Sequence, residues 1–157
     1  MCLCYDKCGS AVDVWSVGCI LAQMILKQPL ISGKDTRRLI QSMVSQIGSP
    51  TEEDLVGCTN QCARDFIASF ARVHPRPFPQ FFQNSDVNEL DILSRMLCWN
   101  PNKRITVDEA LQHPYFESLY NLDDIVTTVP LDTSDFERPD ITLEELKMLL
   151  YHEIFPQ

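Results

Sequence analysis

Glycine is scarce in this chain and always solitary: the five glycines fall at positions 9, 18, 33, 48 and 57. None lies two residues from another, so no G-x-G turn exists to bring backbone N–H groups onto a phosphate. Long apolar runs are missing too. The longest, residues 14–26, is broken by Ser16, Gly18 and Gln23 and falls short of the roughly 18 residues that cross a bilayer. No basic stretch followed by an apolar one opens the chain, so no secretory signal is expected. The default expectation is a soluble intracellular chain of about one domain. Histidine is limited to the scattered His74, His113 and His152. Zinc sites need paired cysteines plus further Cys or His ligands. Cys58 and Cys62 form one such pair, while Cys2, Cys4, Cys8, Cys19 and Cys98 are irregularly spaced and the total of seven is odd. Free thiols in a reducing compartment are therefore expected, with no metal.

Basic charge is missing from one end. Residues 1–116 carry 12 acidic and 11 basic side chains, whereas residues 117–157 carry 10 acidic and 2 basic. The first part reads as a near-neutral globule and the last as an acidic appendage. Such a surface excludes nucleic acid as an expected partner and suits a basic peptide.

What is present is helical periodicity. Ser10 followed by Asp13 predicts a helix start, and residues 14–26 are apolar on every face, as in a helix buried all round; Pro29 stops it. A second helix is predicted from Asp35 or Thr36 to Ile47, with Leu39, Ile40, Met43, Val44 and Ile47 on one stripe. Ser49-Pro50-x-Glu52 predicts a third short helix, and residues 63–71 a fourth. Pro75, Pro77 and Pro79 exclude helix around them. Residues 85–97 are amphipathic, with Val87, Leu90, Leu93, Met96 and Leu97 inward. Thr106-x-x-Glu109 and Thr142-x-x-Glu145 open two more helices, the last carrying Leu143, Leu146, Leu149, Leu150 and Ile154 on one side. Residues 117–141 show no period and are expected to run extended.

Three blocks in order carry a resemblance. Asp13-Val14-Trp15-Ser16-Val17-Gly18-Cys19-Ile20 is similar to the central C-lobe helix of eukaryotic protein kinases. Gly33-Lys34-Asp35, Ile47-Gly48-Ser49-Pro50-Thr51 and Ala63-Arg64-Asp65-Phe66 resemble the insert that marks the mitogen-activated protein (MAP) kinases. Leu97-Cys98-Trp99-Asn100-Pro101-x-x-Arg104 with His113-Pro114-Tyr115-Phe116 completes the lobe. The resemblance implies an all-α fold, the helical C-terminal half of a kinase. Residues 1–116 would be a partial C-lobe with the insert at about 33–82, and residues 117–157 an acidic extension ending in a helix. Asp13, Trp15, Gly18 and Arg104 would be structural motif residues. In the family, Asp13 would accept hydrogen bonds from the catalytic-loop backbone, and Arg104 would pair with the glutamate of an Ala-Pro-Glu motif. Met1 aligns just after that glutamate, so Arg104 is expected to turn to solvent or find a tail carboxylate.

The family's chemistry needs a Gly-rich loop, a strand lysine, a His-Arg-Asp base and a metal-binding Asp-Phe-Gly. Asp65-Phe66 and Asp135-Phe136 continue with Ile and Glu, and each histidine is followed by Pro or Glu. No catalytic, cofactor or metal residue is therefore expected; ATP and Mg2+ would belong only to a complete parent kinase, with its N-lobe and catalytic loop. Its location would be the cytoplasm or nucleus.

Two readings follow. In the first, this is an inactive fragment of a MAP-kinase-like serine/threonine kinase. In the second, it is a stand-alone module that binds the basic docking peptides of MAP kinase substrates, activators or phosphatases. The resemblance implies docking through Tyr120, Asp123 and Asp124, though Asn121, Leu122, Ile125 and Val126 depart from the family pattern there. A second family pocket, for Phe-containing peptides, would use Thr36, Arg37, Ile40 and Phe66; Thr36 and Arg37 do not suit it. A third reading, an unrelated helical scaffold that matches these blocks by accident, is strongly disfavoured by the ordered spacing of the three.

Overall fold

The computed structural model describes residues 9–74, 80, 82, 85–121, 129 and 140–155. Among them the regular structure is helical, with no strand: α1 Ala11–Leu26, α2 Thr36–Ile47, α3 Gln61–Ala68, α4 Val87–Met96, α5 Val107–Leu111 and α6 Leu143–Ile154. Short 3-10 turns at Pro101–Lys103 and Pro114–Phe116 flank α5. The all-α expectation holds. The chain forms two compact units, Met1–Tyr120 and Asn121–Gln157.

In the first unit α1 and α4 pack against each other. Gly18 permits the approach, because a Cβ there would sit 2.9 Å from the Met96 Cβ and 3.1 Å from a Leu97 methyl. One core gathers Trp15, Ala22, Ile40, Met43, Val44, Leu93, Leu97 and Trp99. A second gathers Val14, Ile92, Met96, Ile105 and Ala110. Helix α4 feeds both, and its Ile92 and Leu93 are completely buried.

Local chemistry sets most helix starts. Asp35, Asn60, Asp86, Thr106 and Thr142 each accept a hydrogen bond from the third residue beyond, satisfying a backbone donor that the helix leaves orphaned. In α4, α5 and α6 a glutamate at the third helical position reaches back, completing a capping box. Helix α2 stops at Gly48, whose φ of 94° carries the chain out of the helix in a conformation that only glycine adopts without strain.

Several expectations are corrected. Ser10 makes no side-chain cap and is itself helical in φ and ψ; hydrogen bonds from Val12 to Gly9 and from Asp13 to Ser10 lead the chain into α1 instead. Helix α1 is not buried all round. Only Val14, Trp15, Gly18 and Ala22 are buried, while Val17, Ile20 and Met24 are 50%, 59% and 70% exposed. Residues 52–57 form turns rather than a helix, because the reciprocal cap is Thr51 with Asp54 and the Ser49 hydroxyl is taken by the Val73 N–H. Val87, expected inward, is exposed, since Asp86 and not Ser85 caps α4 and the inward stripe begins at Leu90. Helix α6 forms where predicted and buries none of its residues.

Candidate functional site

Arg104 makes several contacts in the first unit. Its Nε donates to the Cys98 carbonyl at 2.7 Å, Nη1 to Ala11 at 2.8 Å and Nη2 to Trp99 at 3.1 Å. The guanidinium carbon lies 4.7 Å above the Trp15 ring. Expected in solvent or on a tail carboxylate, Arg104 instead clamps the start of α1 to the turn after α4. The reason is geometric: a planar fork with five donors can serve several carbonyls at once while its face stacks on an indole. Trp15 and Trp99 are tilted neighbours with centroids 6.2 Å apart, and the Trp99 Nε1–H donates to the Gly48 carbonyl at 2.9 Å. Trp15, Gly18 and Arg104 therefore share one seam between α1 and α4. Asp13 stands apart, exposed in the first turn of α1, where a carboxylate favours the positive end of the helix dipole.

The turn after α4 also holds the 48–57 segment. The Asn100 side-chain amide donates to the Glu53 carbonyl at 3.3 Å, and Lys103 lies 2.9 Å from Glu53 and 3.7 Å from Asp54. The Glu53 partner, with Asp54 beside it, holds the Lys103 ammonium above its ordinary value.

His113 is buried, and its partner on α4 lies 22 residues away in sequence. Its Nδ1 accepts the Tyr115 N–H at 3.2 Å. A main-chain N–H can only donate, so Nε2 carries the proton of the 2.8 Å bond to Asp91. Arg95 reaches the same carboxylate at 2.9 Å. Hydrogen bonding from His113, helped by Arg95, holds the Asp91 carboxyl below its ordinary range. The sequence signal was the His-Pro pair itself, with histidine capping the 3-10 turn.

Two thiols are quieted by burial. Burial pushes Cys19 and Cys98 up, leaving less of the reactive thiolate; the Cys98 thiol donates to the Ser94 carbonyl at 3.2 Å. The Cys58 thiol donates to the Asn60 carbonyl at 3.9 Å, Cys62 is exposed, and no three His, Cys, Asp or Glu side chains group as metal ligands among the described residues.

The residues of the Phe-peptide pocket do not form an open one: Ile40 is in the core, and the Arg37 guanidinium covers Phe66 at 5.8 Å and Phe70 at 5.0 Å. Of the docking residues, Asp123 and Asp124 lie outside the described residues. Tyr120 lines a groove of about 290 Å3 with Leu111, Gln112, Pro114 and Glu117. A larger groove of about 520 Å3 lies beside α3, but its carboxylates are engaged, Glu52 by Arg64 and Asp65 by Gln61.

Residues 2–116 match the protein kinase domain family. The chain is 39% identical over 152 residues to extracellular signal-regulated kinase 1 of Dictyostelium discoideum, covering 97% of this chain and 29% of that protein. It is 40% identical over 156 residues to mitogen-activated protein kinase mpkB of Aspergillus fumigatus, covering 97% and 44%. With mitogen-activated protein kinase 11 of Arabidopsis thaliana it shares 38% over 144 residues, covering 92% and 39%. The chain thus spans less than half the length of these curated relatives. The matched domain, the relatives and the helical architecture agree: this chain belongs to the protein kinase family and corresponds to part of the C-terminal lobe of a MAP-kinase-like member.

Proposed function

We propose that the chain serves within a MAP-kinase-like serine/threonine kinase, whose whole protein transfers phosphate from ATP to Ser or Thr, and that these 157 residues alone transfer none. The observation that carries this is the stripe Val17, Ile20 and Met24 on α1. It repeats at helical spacing and is left exposed, beside an Asp13 carboxylate that is also exposed. An apolar helix face with nothing over it is a surface shaped for more protein. The residues present do not fit ATP or Mg2+, since the sequence holds no G-x-G, His-Arg-Asp or Asp-Phe-Gly. Incubated with radiolabelled ATP, Mg2+ and a Ser/Thr peptide library, the chain should incorporate no label above buffer. Transfer by the purified chain would overturn the reading.

A second reading rests on the charge of residues 117–157, 10 acidic against 2 basic: the extension binds basic docking peptides through Asp123 and Asp124. Such binding should weaken steeply with salt and drop in the Asp123→Asn, Asp124→Asn double variant.

A further inference from the structure

We propose that the groove between α3 and the turns at 49–55 binds an acidic peptide, with an apolar side chain in the groove and carboxylates on Arg37 and Arg72. The groove measures about 520 Å3, within the roughly 300–1,000 Å3 of ligand cavities. Leu55, Ile67, Ala68 and Phe70 give it an apolar lining. Leu55 and Ile67 are buried, and Phe70 packs against the larger core. These walls are set by the fold, so little ordering entropy is lost on binding.

Phe70 joins this groove to a guanidinium held by its face and unused at its edge. The Arg37 guanidinium carbon lies 5.0 Å from the Phe70 ring centre and 5.8 Å from that of Phe66, and the two rings meet edge to face at 5.3 Å. Arg104 is posed in the same way over Trp15, but it spends its N–H groups on three carbonyls. Among the described residues no acceptor takes the N–H groups of Arg37. A stacked guanidinium with a free edge can meet both oxygens of a carboxylate with two parallel N–H bonds. Arg72, which is exposed and lines the groove with Phe70, likewise meets no acceptor among the described residues.

Charge complementarity selects the occupant. The acids of the lining are already held: Glu52 lies 2.7 Å from Arg64, and Asp65 accepts from Gln61 at 2.7 Å. Arg37, Arg64 and Arg72 outnumber Glu52 and Asp65, and the surplus positive charge rests on the two arginines that neither acid binds. A basic peptide would find only engaged carboxylates here. An acidic one with an aliphatic side chain satisfies both the free guanidinium edges and the apolar lining. At about 0.15 M salt the chain's general negative charge is screened beyond about 8 Å, so contact with these two side chains decides binding.

The test is a proton–nitrogen NMR titration of the full chain with acetyl-Glu-Leu-Glu-amide at that salt concentration. The amide signals of Phe66, Phe70 and Arg72 should shift. Arg37→Gln and Arg72→Gln, both at exposed positions, should each weaken binding about three- to fivefold, as for exposed charge pairs. Arg37→Lys should lose a similar factor, because an ammonium lacks the planar fork; full binding by that variant would overturn the stacked-guanidinium assignment. Ala68→Phe, at an exposed position on the wall, should fill the groove and weaken the leucine probe while leaving acetyl-Glu-Gly-Glu-amide unchanged. Equal binding of acetyl-Gln-Leu-Gln-amide would make the site a neutral apolar cleft and overturn the charge assignment. If a phosphoserine peptide binds and the glutamate peptide does not, the acidic-peptide assignment falls to a phosphopeptide one. No shift at millimolar probe, or shifts confined to other elements, overturns the proposal.

Discussion

Helices α4 and α6 begin alike and end differently. Each opens on a capping box, Asp86 with Glu89 and Thr142 with Glu145, and each carries apolar residues at helical spacing. Yet α4 buries Ile92, Leu93 and Met96, whereas α6 buries nothing. A cap satisfies backbone donors at a helix start and so decides where a helix begins. It does not supply the second surface that makes an apolar stripe stabilising, and most helical stability in a protein comes from that packing. Helix α1 shows both conditions at once: its Trp15 and Ala22 side is packed while its Val17, Ile20 and Met24 side is exposed.

The sharpest way to break the comparison is to truncate a matched leucine in each helix. Leu93→Ala, at a fully buried site, should lower stability by about 2–5 kcal/mol; Leu149→Ala, at an exposed one, should stay within about 0.5 kcal/mol. Denaturant titration of both variants decides it, and equal losses would mean that α6 is packed as α4 is. Cap removal comes next. Thr106→Ala should cost the first unit about 1 kcal/mol, read as a lowered denaturation midpoint. Thr142→Ala should reduce far-UV helicity and leave that midpoint in place.

The smallest effect is set by pH. Asp91 is held below its ordinary range by His113 and Arg95, so its stabilising contribution is complete above the unfolded value of about 3.9 and is lost as pH falls through the lower folded value. Asp91→Asn should therefore lower the melting temperature at pH 7 and converge on the parent at strongly acid pH. A gap that widened on acidification would contradict the cluster geometry.

Much of this was legible in the residues. Asp35, Thr106 and Thr142 mark helix starts by bonds made three residues away, and a signal that local survives in any context. The ordered kinase-like blocks likewise fixed an all-α fold. What escaped depends on neighbours distant in sequence. Ser49 reads as a cap until Val73, 24 residues on, claims its hydroxyl. Arg104 reads as a partner for a carboxylate until the chain folds and brings the Ala11 carbonyl to it from 93 residues away. Periodicity groups residues on a face but does not say what covers that face, which is why α1 read as buried all round. Tyr120 lines a groove with Leu111 and Pro114, a grouping that the fold makes and that no local pattern names.

The paired indoles give the molecule an optical address. Trp15 and Trp99 are the only two tryptophans in the sequence, they sit 6.2 Å apart, and a guanidinium lies over one of them. Tryptophan emission, excited at the red edge where tyrosine does not absorb, should therefore report the seam between α1 and α4 and remain blind to α6, which has no tryptophan. A denaturation curve followed by emission tracks the lobe, and one followed by far-ultraviolet ellipticity tracks both units. The separation between the two curves would measure how independently the acidic extension melts.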